Sequence, residues 1–446
     1  MLPRQADRDF GLATWPRSLG YSDSICAQSV RATAWRMATD PRGLDEADVY
    51  KKDRLAGKLR RTPEAVEFQY LDEYLEDQPE AIANTLQPTT RPVVATGGSV
   101  PPFFAGLLPE GLRLTALTRR LKTSADDMFS LLVAVGADTI GDVRVFPAGA
   151  EATDPTPTRQ IANWDEADFD ELFGLSTGSN TDWTEAAALP GVQVKVSSEM
   201  ISFPVAGAVG DRSILKLNPP NYPHLIENEA FFMAMARASG LDVPHFELVT
   251  DRRRRTGLLV KRFDRALRGT TIVRLYQEDA CQLLGRYPAD KYRLTFAEVS
   301  HSVMAASTVA TIDGLGLVRL GAFSYLIGNG DLHAKNISVS ETIEGDVRLS
   351  PTYDVLSTIA YVGDDHLALP IDGRDNKLRR RHFTEFGLRL GVPERATARA
   401  IDRICELAPS WIERLSEIGL DDRRTHFVEA ELRRRGDALA EARPTT

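Results

Sequence analysis

The sequence predicts an α+β enzyme of two lobes with a cleft between them. Three observations carry that expectation. A chain of 446 residues is too long for one simple core. Its first half carries short alternating apolar runs, whereas beyond about Ala280 the apolar spacing is mostly helical. With 43% hydrophobic and 26% charged residues, the composition is that of an ordinary globular protein, so both halves can bury a core.

The elements follow in order. Residues 1–45 show no clear period and form an extension of unclear structure. A β-rich subdomain is expected over 46–150, starting with strands at Asp48–Tyr50 and Ala65–Tyr70. It continues through a Gly/Pro loop into Phe103–Gly111, and helical spacing then runs from Leu112 to Val135. Residues 151–265 form a second strand-rich block, which opens on a surface connection rich in Thr, Pro, Asp and Ser. It holds a strand over Ile214–Leu217 and a helix from about Ile226 to Ser239, stopped by Gly240. A hairpin then pairs His245–Val249 with Gly257–Val260. Residues 266–446 complete the chain as the helical lobe, with strand signals only near Asn336–Ser340 and Val347–Leu349.

A formal net charge of -9 argues against a general binder of nucleic acid or anionic membranes. The three cysteines, Cys26, Cys281 and Cys405, lie far apart without metal-ligand spacing, so reduced and mostly buried thiols are expected. The N-terminus has no apolar run of signal-peptide type, and the longest apolar stretches, such as Met128–Ala137, are well short of a membrane span. A cytoplasmic protein with no membrane partner is the expectation.

The chemistry concentrates in Gly328-Asn329-Gly330-Asp331-Leu332-His333-Ala334-Lys335-Asn336. Phosphoryl transfer to a hydroxyl needs a carboxylate that orients the acceptor and takes its proton, the role expected of Asp331. It also needs hard oxygen ligands for Mg²⁺, here Asn336 and, after a hairpin, Asp354. His333 lies where it can brace the aspartate or contact the nucleotide. An isolated D-x-x-x-x-N is usually only a polar turn; Asp354 and the lobe pattern give this one meaning. Lys216, mid-strand, is placed to neutralise nucleotide phosphates, with Glu227 or Glu229 as its anchor; the plainer alternative is an edge-strand lysine facing water. Leu189–Lys195 is similar to a phosphate-covering loop.

Together these segments resemble the HipA family of bacterial toxin kinases. The likeness runs in the family's order over about residues 46–390: Phe103–Gly111, Val135–Gly141, Gly191–Lys195, Ile214–Leu217, Glu227–Glu229, Lys261–Arg265, Gln277–Gln282, Gly328–Asn336, Tyr353-Asp354 with Ser357, and Leu367–Gly373 ahead of Asn376-Lys377. The resemblance implies a two-lobed protein-kinase-like fold, its β-rich N-lobe carrying an extra N-terminal β subdomain. It implies ATP with Mg²⁺, and transfer to a Ser or Thr of a protein such as an aminoacyl-tRNA synthetase. A small helix-turn-helix antitoxin of the HipB type is the implied partner, with DNA reached only through it. Position by position, Asp331 matches the catalytic base, Asn336 and Asp354 the metal ligands, and Lys216 the phosphate-binding lysine. Gly191, Gln193 and Lys195 match the phosphate loop, and Lys261 to Phe263 the hinge that holds adenine.

Two departures stand out. Ala188 occupies the position of the family's autophosphorylated serine, with Thr184 and Ser197 as nearby hydroxyls. Lys261 replaces an acidic hinge residue, at a point where adenine is read mainly by backbone groups. Two basic runs, Arg252–Arg255 and Arg379–Arg381, fit solvated turns better than a nucleic-acid contact. The rival functions are a small-molecule phosphotransferase of the aminoglycoside or choline kinase sort, which shares the Gly330–Asn336 loop, and a catalytically silent co-repressor.

Overall fold

The computed structural model describes residues 40–153, 160–161, 163–172, 200–207, 212–363 and 366–440. Cys26, Thr184, Ala188, Gly191, Gln193, Lys195 and Ser197 therefore lie outside the described residues.

The first sheet is antiparallel, built from β1 (Glu46–Lys51), β2 (Arg54–Arg61), β3 (Ala65–Tyr70), β4 (Val93–Thr96) and β5 (Val143–Pro147) in the order β4-β3-β2-β1-β5. Its inward side chains, Val49, Leu59, Phe68 and Val145, meet Phe103, Phe104, Phe129 and Leu132 in one apolar cluster. Each fully buried Phe there contributes about 2–3 kcal/mol. The helices supplying the other face are α1 (Asp72–Glu76), α2 (Pro102–Gly106) and α4 (Met128–Val135), while α3 (Gly111–Leu121) packs against α4 in a small cluster of its own. The helical spacing of Leu112–Val135 is thus two helices. Lys122 adopts a left-handed conformation (φ 51°) that ends α3, and the Asp127 carboxylate caps α4 by accepting from the Ser130 N–H.

The second sheet runs β6-β7-β8-β10-β9, with β6 (Gln160–Ile161), β7 (Ile201–Gly207), β8 (Arg212–Leu217), β9 (Phe246–Thr250) and β10 (Thr256–Lys261). The hairpin β9–β10 pairs as the sequence predicts, with Val249 opposite Gly257. Helix α5 (Leu225–Ala238) packs against it. A ribbon of β11 (Arg265–Arg268) and β12 (Thr271–Arg274) follows, and then a three-stranded sheet of β13 (Gln277–Asp279), β14 (Ser338–Glu341) and β15 (Val347–Leu349).

The rest is helical: α6 (Ala280–Leu283), α7 (Phe296–Ala306), α8 (Ala310–Ile327), α9 (Ile359–Val362), α10 (Arg380–Arg389), α11 (Glu394–Ile412) and α12 (Asp422–Ala440). Helix α8 corrects the sequence reading of apolar lengths. Its 18 residues are long and apolar enough to cross a membrane, yet 67% of them are buried inside the protein. It is the central helix of the largest apolar cluster, which also takes in α5 and β10. Cys281 is buried and Cys405 half-buried, both as free thiols.

Candidate active site

Lys216 sits on β8, which lies between β7 and β10 and is therefore not an edge. Strand alternation turns its side chain inward, where it is 7% exposed. Its ammonium donates to Glu229 at 2.7 Å and also contacts the Asp354 carboxylate. Of the two candidate anchors, Glu229 is the partner of Lys216. Glu227 instead accepts from Asn218 Nδ2 at 2.8 Å, while Asn218 Oδ1 accepts from the Ile226 N–H and starts α5. Complete burial pushes the Glu229 carboxyl up even with Lys216 pulling it down. Burial alone would lower Lys216, but its two carboxylate partners outweigh that and raise it.

Asp354 has a left-handed backbone (φ 53°), uncommon for a residue with a Cβ and often found at functional sites. The neighbouring chain holds it there. Asn228 on α5 makes two hydrogen bonds to the Ser357 backbone, at 3.0 and 2.8 Å. The Tyr353 phenol donates to the Lys335 carbonyl at 2.7 Å, so the Ser338 hydroxyl donates to it. Phe263, just past β10, lies with its ring 5.8 Å from that of Tyr353. Lys261 keeps an exposed side chain, and its N–H donates to the His245 carbonyl.

Helix α8 ends at Gly328 with φ 66°, and the chain then turns into the loop. Thr358 pins that turn: its hydroxyl accepts from the Gly330 N–H at 2.9 Å and donates to the Gly328 carbonyl at 3.0 Å. Asp331 is nearly fully buried, and its Oδ1 accepts from the Tyr292 hydroxyl at 2.6 Å. Asn336 Nδ2 donates to the Asp331 carbonyl at 2.9 Å, which leaves Oδ1 as the atom able to bind a cation. The His333 ring is buried with its edge against Tyr292, at 5.0 Å between centroids. Burial first, and then the nearby Lys291, push it down to about 3, so it stays neutral. Among the described residues no three His, Cys, Asp or Glu side chains converge on one point. That suits Mg²⁺, which binds one or two protein oxygens and takes the remainder from phosphate and water.

The structure thus brings Lys216, Glu229 and Asp354 into contact and ties Asn336 to Asp331. Tyr292 on the aspartate, Thr358 under the loop and Glu110 beside Lys335 are contributions that sequence reasoning missed. The basic turn Arg252–Arg255 is largely neutralised at home. Arg252 contacts Asp168, Arg253 reaches Asp170 at 2.7 Å, and Arg255 reaches Asp251 at 2.6 Å and Asp170 at 2.7 Å. In the second run, Arg380 pairs with Asp402 at 2.6 Å.

Comparison with known proteins decides the family. Residues 47–146 match the HipA N-terminal domain, and residues 187–412 match the HipA-like C-terminal domain. The chain belongs to the HipA family. It is 31% identical over 350 residues to Y4mE of Sinorhizobium fredii, which carries a kinase name; the match covers 74% of this chain and 83% of that one. It is 28% identical over 352 residues to the serine/threonine-protein kinase toxin HipA of Shewanella oneidensis, covering 73% and 80% of the two chains. In three dimensions it matches Shewanella HipA from a complex with HipB and operator DNA, with a TM-score of 0.69 and 22% identity, covering 88% of this chain and 97% of that one. The HipA fold accounts for the α+β architecture and for the β subdomain ahead of the kinase-like lobes.

Proposed function

We propose that this HipA-family chain is a serine/threonine protein kinase that transfers the γ-phosphoryl group of Mg-ATP to a protein hydroxyl. The observation that carries the proposal is the buried Lys216, held between Glu229 and Asp354, on a sheet facing a loop in which Asn336 is fastened to Asp331. A buried lysine with two carboxylates is costly unless it has work to do, and neutralising nucleotide phosphates is such work.

Asp331 accepts the proton of the attacking serine or threonine, with Tyr292 orienting its carboxylate. Asn336 and Asp354 hold Mg²⁺, which when bound with the nucleotide offsets the charge on the transferring phosphoryl group. Lys216 fixes the phosphates. Neutral His333 contributes shape rather than charge, with its ring packed on Tyr292. Phe263 and the backbone at Lys261 receive the adenine. Gly191, Gln193 and Lys195 cover the phosphates, an assignment resting on the family likeness alone.

The biological reading follows the relatives. One is named a toxin kinase, and a structural neighbour was solved with HipB on operator DNA. We infer a HipB-like helix-turn-helix antitoxin as partner and an aminoacyl-tRNA synthetase as the protein substrate, whose modification arrests translation and growth. The deciding experiment offers radiolabelled ATP with purified tRNA synthetases or with aminoglycosides. Label on a synthetase, lost in Asp331→Ala, is expected. Label on an aminoglycoside instead would make the chain a small-molecule phosphotransferase. Growth arrest that survives Asp331→Ala, in a protein that binds no Mg-ATP, would make it a silent co-repressor.

A further inference from the structure

The phosphotransfer reading leaves unexplained why Phe103–Gly111, far from the nucleotide motifs in sequence, belongs to the family pattern. The structure places this segment against the catalytic loop. The Phe103 carbonyl accepts from Gln282 Nε2 at 2.9 Å, and the Gly106 carbonyl accepts from Lys335 Nζ at 3.2 Å. A Cβ on Gly106 would lie 2.7 Å from Gln282 Cγ, so only glycine permits this approach.

Glu110 then reaches two lysines at once, Lys291 at 2.5 Å and Lys335 at 2.8 Å. Lys291 is the residue before Tyr292, whose hydroxyl sits on Asp331; Lys335 is the residue before Asn336. The Ala334 N–H donates to the Lys291 carbonyl at 3.1 Å, so the two stretches are also joined directly. Both lysine side chains are largely buried, 12% and 13% exposed. Lys335 has Asp279 only at 3.9 Å as a second carboxylate. Without the Glu110 charge, two poorly solvated ammonium groups would face each other beneath the catalytic base. Glu110 stands at the start of α3 but makes no side-chain capping bond there, so capping does not account for it.

We propose that Glu110 is a positioning residue, through which the N-terminal β subdomain clamps Tyr292 and the Asp331–Asn336 loop in the geometry needed for phosphoryl transfer. The clamp rests on the kinase reading for its consequence, though not for its existence. It acts on the Asp331–Asn336 side of the cleft, base and one metal ligand together, and leaves the Lys216–Glu229 pair untouched.

The test compares full-length wild type, Glu110→Gln and Glu110→Asp. Three readouts are needed: transfer to myelin basic protein as probe acceptor, affinity for a fluorescent ATP analogue with Mg²⁺, and hydrogen exchange. For Glu110→Gln, kcat is expected to fall about 10- to 100-fold, as a displacement near 1 Å of a reacting group produces. Nucleotide affinity, which Lys216 and the Lys261–Phe263 backbone still support, should fall far less than kcat, and exchange should quicken at residues 291–292 and 331–336 only. Glu110→Asp, which keeps the charge, should recover part of kcat. Unchanged exchange at those residues overturns the clamp whether or not the wild type transfers phosphate. Loosening throughout the chain, with loss of nucleotide affinity, overturns it as well and reduces Glu110 to a structural residue. A wild type that binds no nucleotide and labels no acceptor, with exchange responding as expected, overturns the kinase reading and leaves the clamp standing.

Discussion

At the scale of single residues, the candidate site was legible wherever it depends on residue type at close spacing. The proposed phosphoryl transfer demands a carboxylate, hard oxygen ligands and a cation, so Asp331, Asn336, Asp354 and Lys216 could be picked from the sequence as its candidates. Tyr292 and Glu110 could not. Tyr292 meets Asp331 across 39 residues and Glu110 meets Lys291 across 181, and no local pattern encodes such meetings. The Glu227 or Glu229 ambiguity also needed three dimensions, because both stand on the first turns of α5. Replacing Asp331 or Asp354 with Ala is expected to lower transfer by about 10²- to 10⁴-fold with the fold intact, as judged by label incorporation and circular dichroism. Ala188→Ser is expected to gain one phosphate at that position after incubation with Mg-ATP. Mass spectrometry of the peptide, unmodified in the wild type, checks it.

Among the elements, those with strong local signals emerged nearly where expected. Strand β3 matches its predicted bounds, and α5 is offset by one residue at each end. Strand β2 had no such signal. It reads Arg-Leu-Ala-Gly-Lys-Leu-Arg-Arg with no β-branched residue, and pairing with β1 and β3 makes it a strand. Gly57 within it is needed because a Cβ there would lie 2.6 Å from the Gln69 carbonyl oxygen. The turn from α8 into the Gly328–Asn336 loop is the element that sets where Asp331 stands. Gly328→Ala forces a side chain onto φ 66° and puts its Cβ 2.7 Å from Ile359 Cγ2. A loss of about 2 kcal/mol or more is expected in urea unfolding, together with reduced turnover.

For the molecule as a whole, the division into a β-rich half and a helical half was visible in the apolar periodicities. How the halves join was not, because that joining is made by buried charge. Glu278 is fully buried on β13, and its Oε1 accepts from the Asn84 N–H at 2.6 Å and the Tyr276 hydroxyl at 2.7 Å. Burial pushes it up to about 7, from an ordinary value of 4.5, despite those two donors. The folded state therefore holds this proton more tightly than the unfolded chain. The stabilisation is complete below pH 4.5 and disappears as the pH rises through about 7. Relative to wild type, Glu278→Gln should gain about 1–3 kcal/mol between pH 5 and pH 8. Urea unfolding of both proteins at the two pH values measures it.

The buried charge between Asp138 and Arg265 bears on how such a protein can be taken apart. Arg262 and Arg265 both donate to the Thr139 carbonyl and to Asp264, and Arg265 donates to the Gly141 carbonyl. Asp138 faces the same two guanidinium groups at 3.2 and 3.0 Å. The family pattern divides this chain into two modules, at 47–146 and 187–412, yet Asp138, Thr139 and Gly141 of the first meet Arg262 and Arg265 of the second, beside the second module's own Asp264. A fragment cut between the modules would strand two guanidinium groups without half of their acceptors. The modules can be told apart in sequence, but recombination that swaps one is expected to need the matching side of the ion pairs carried along with it.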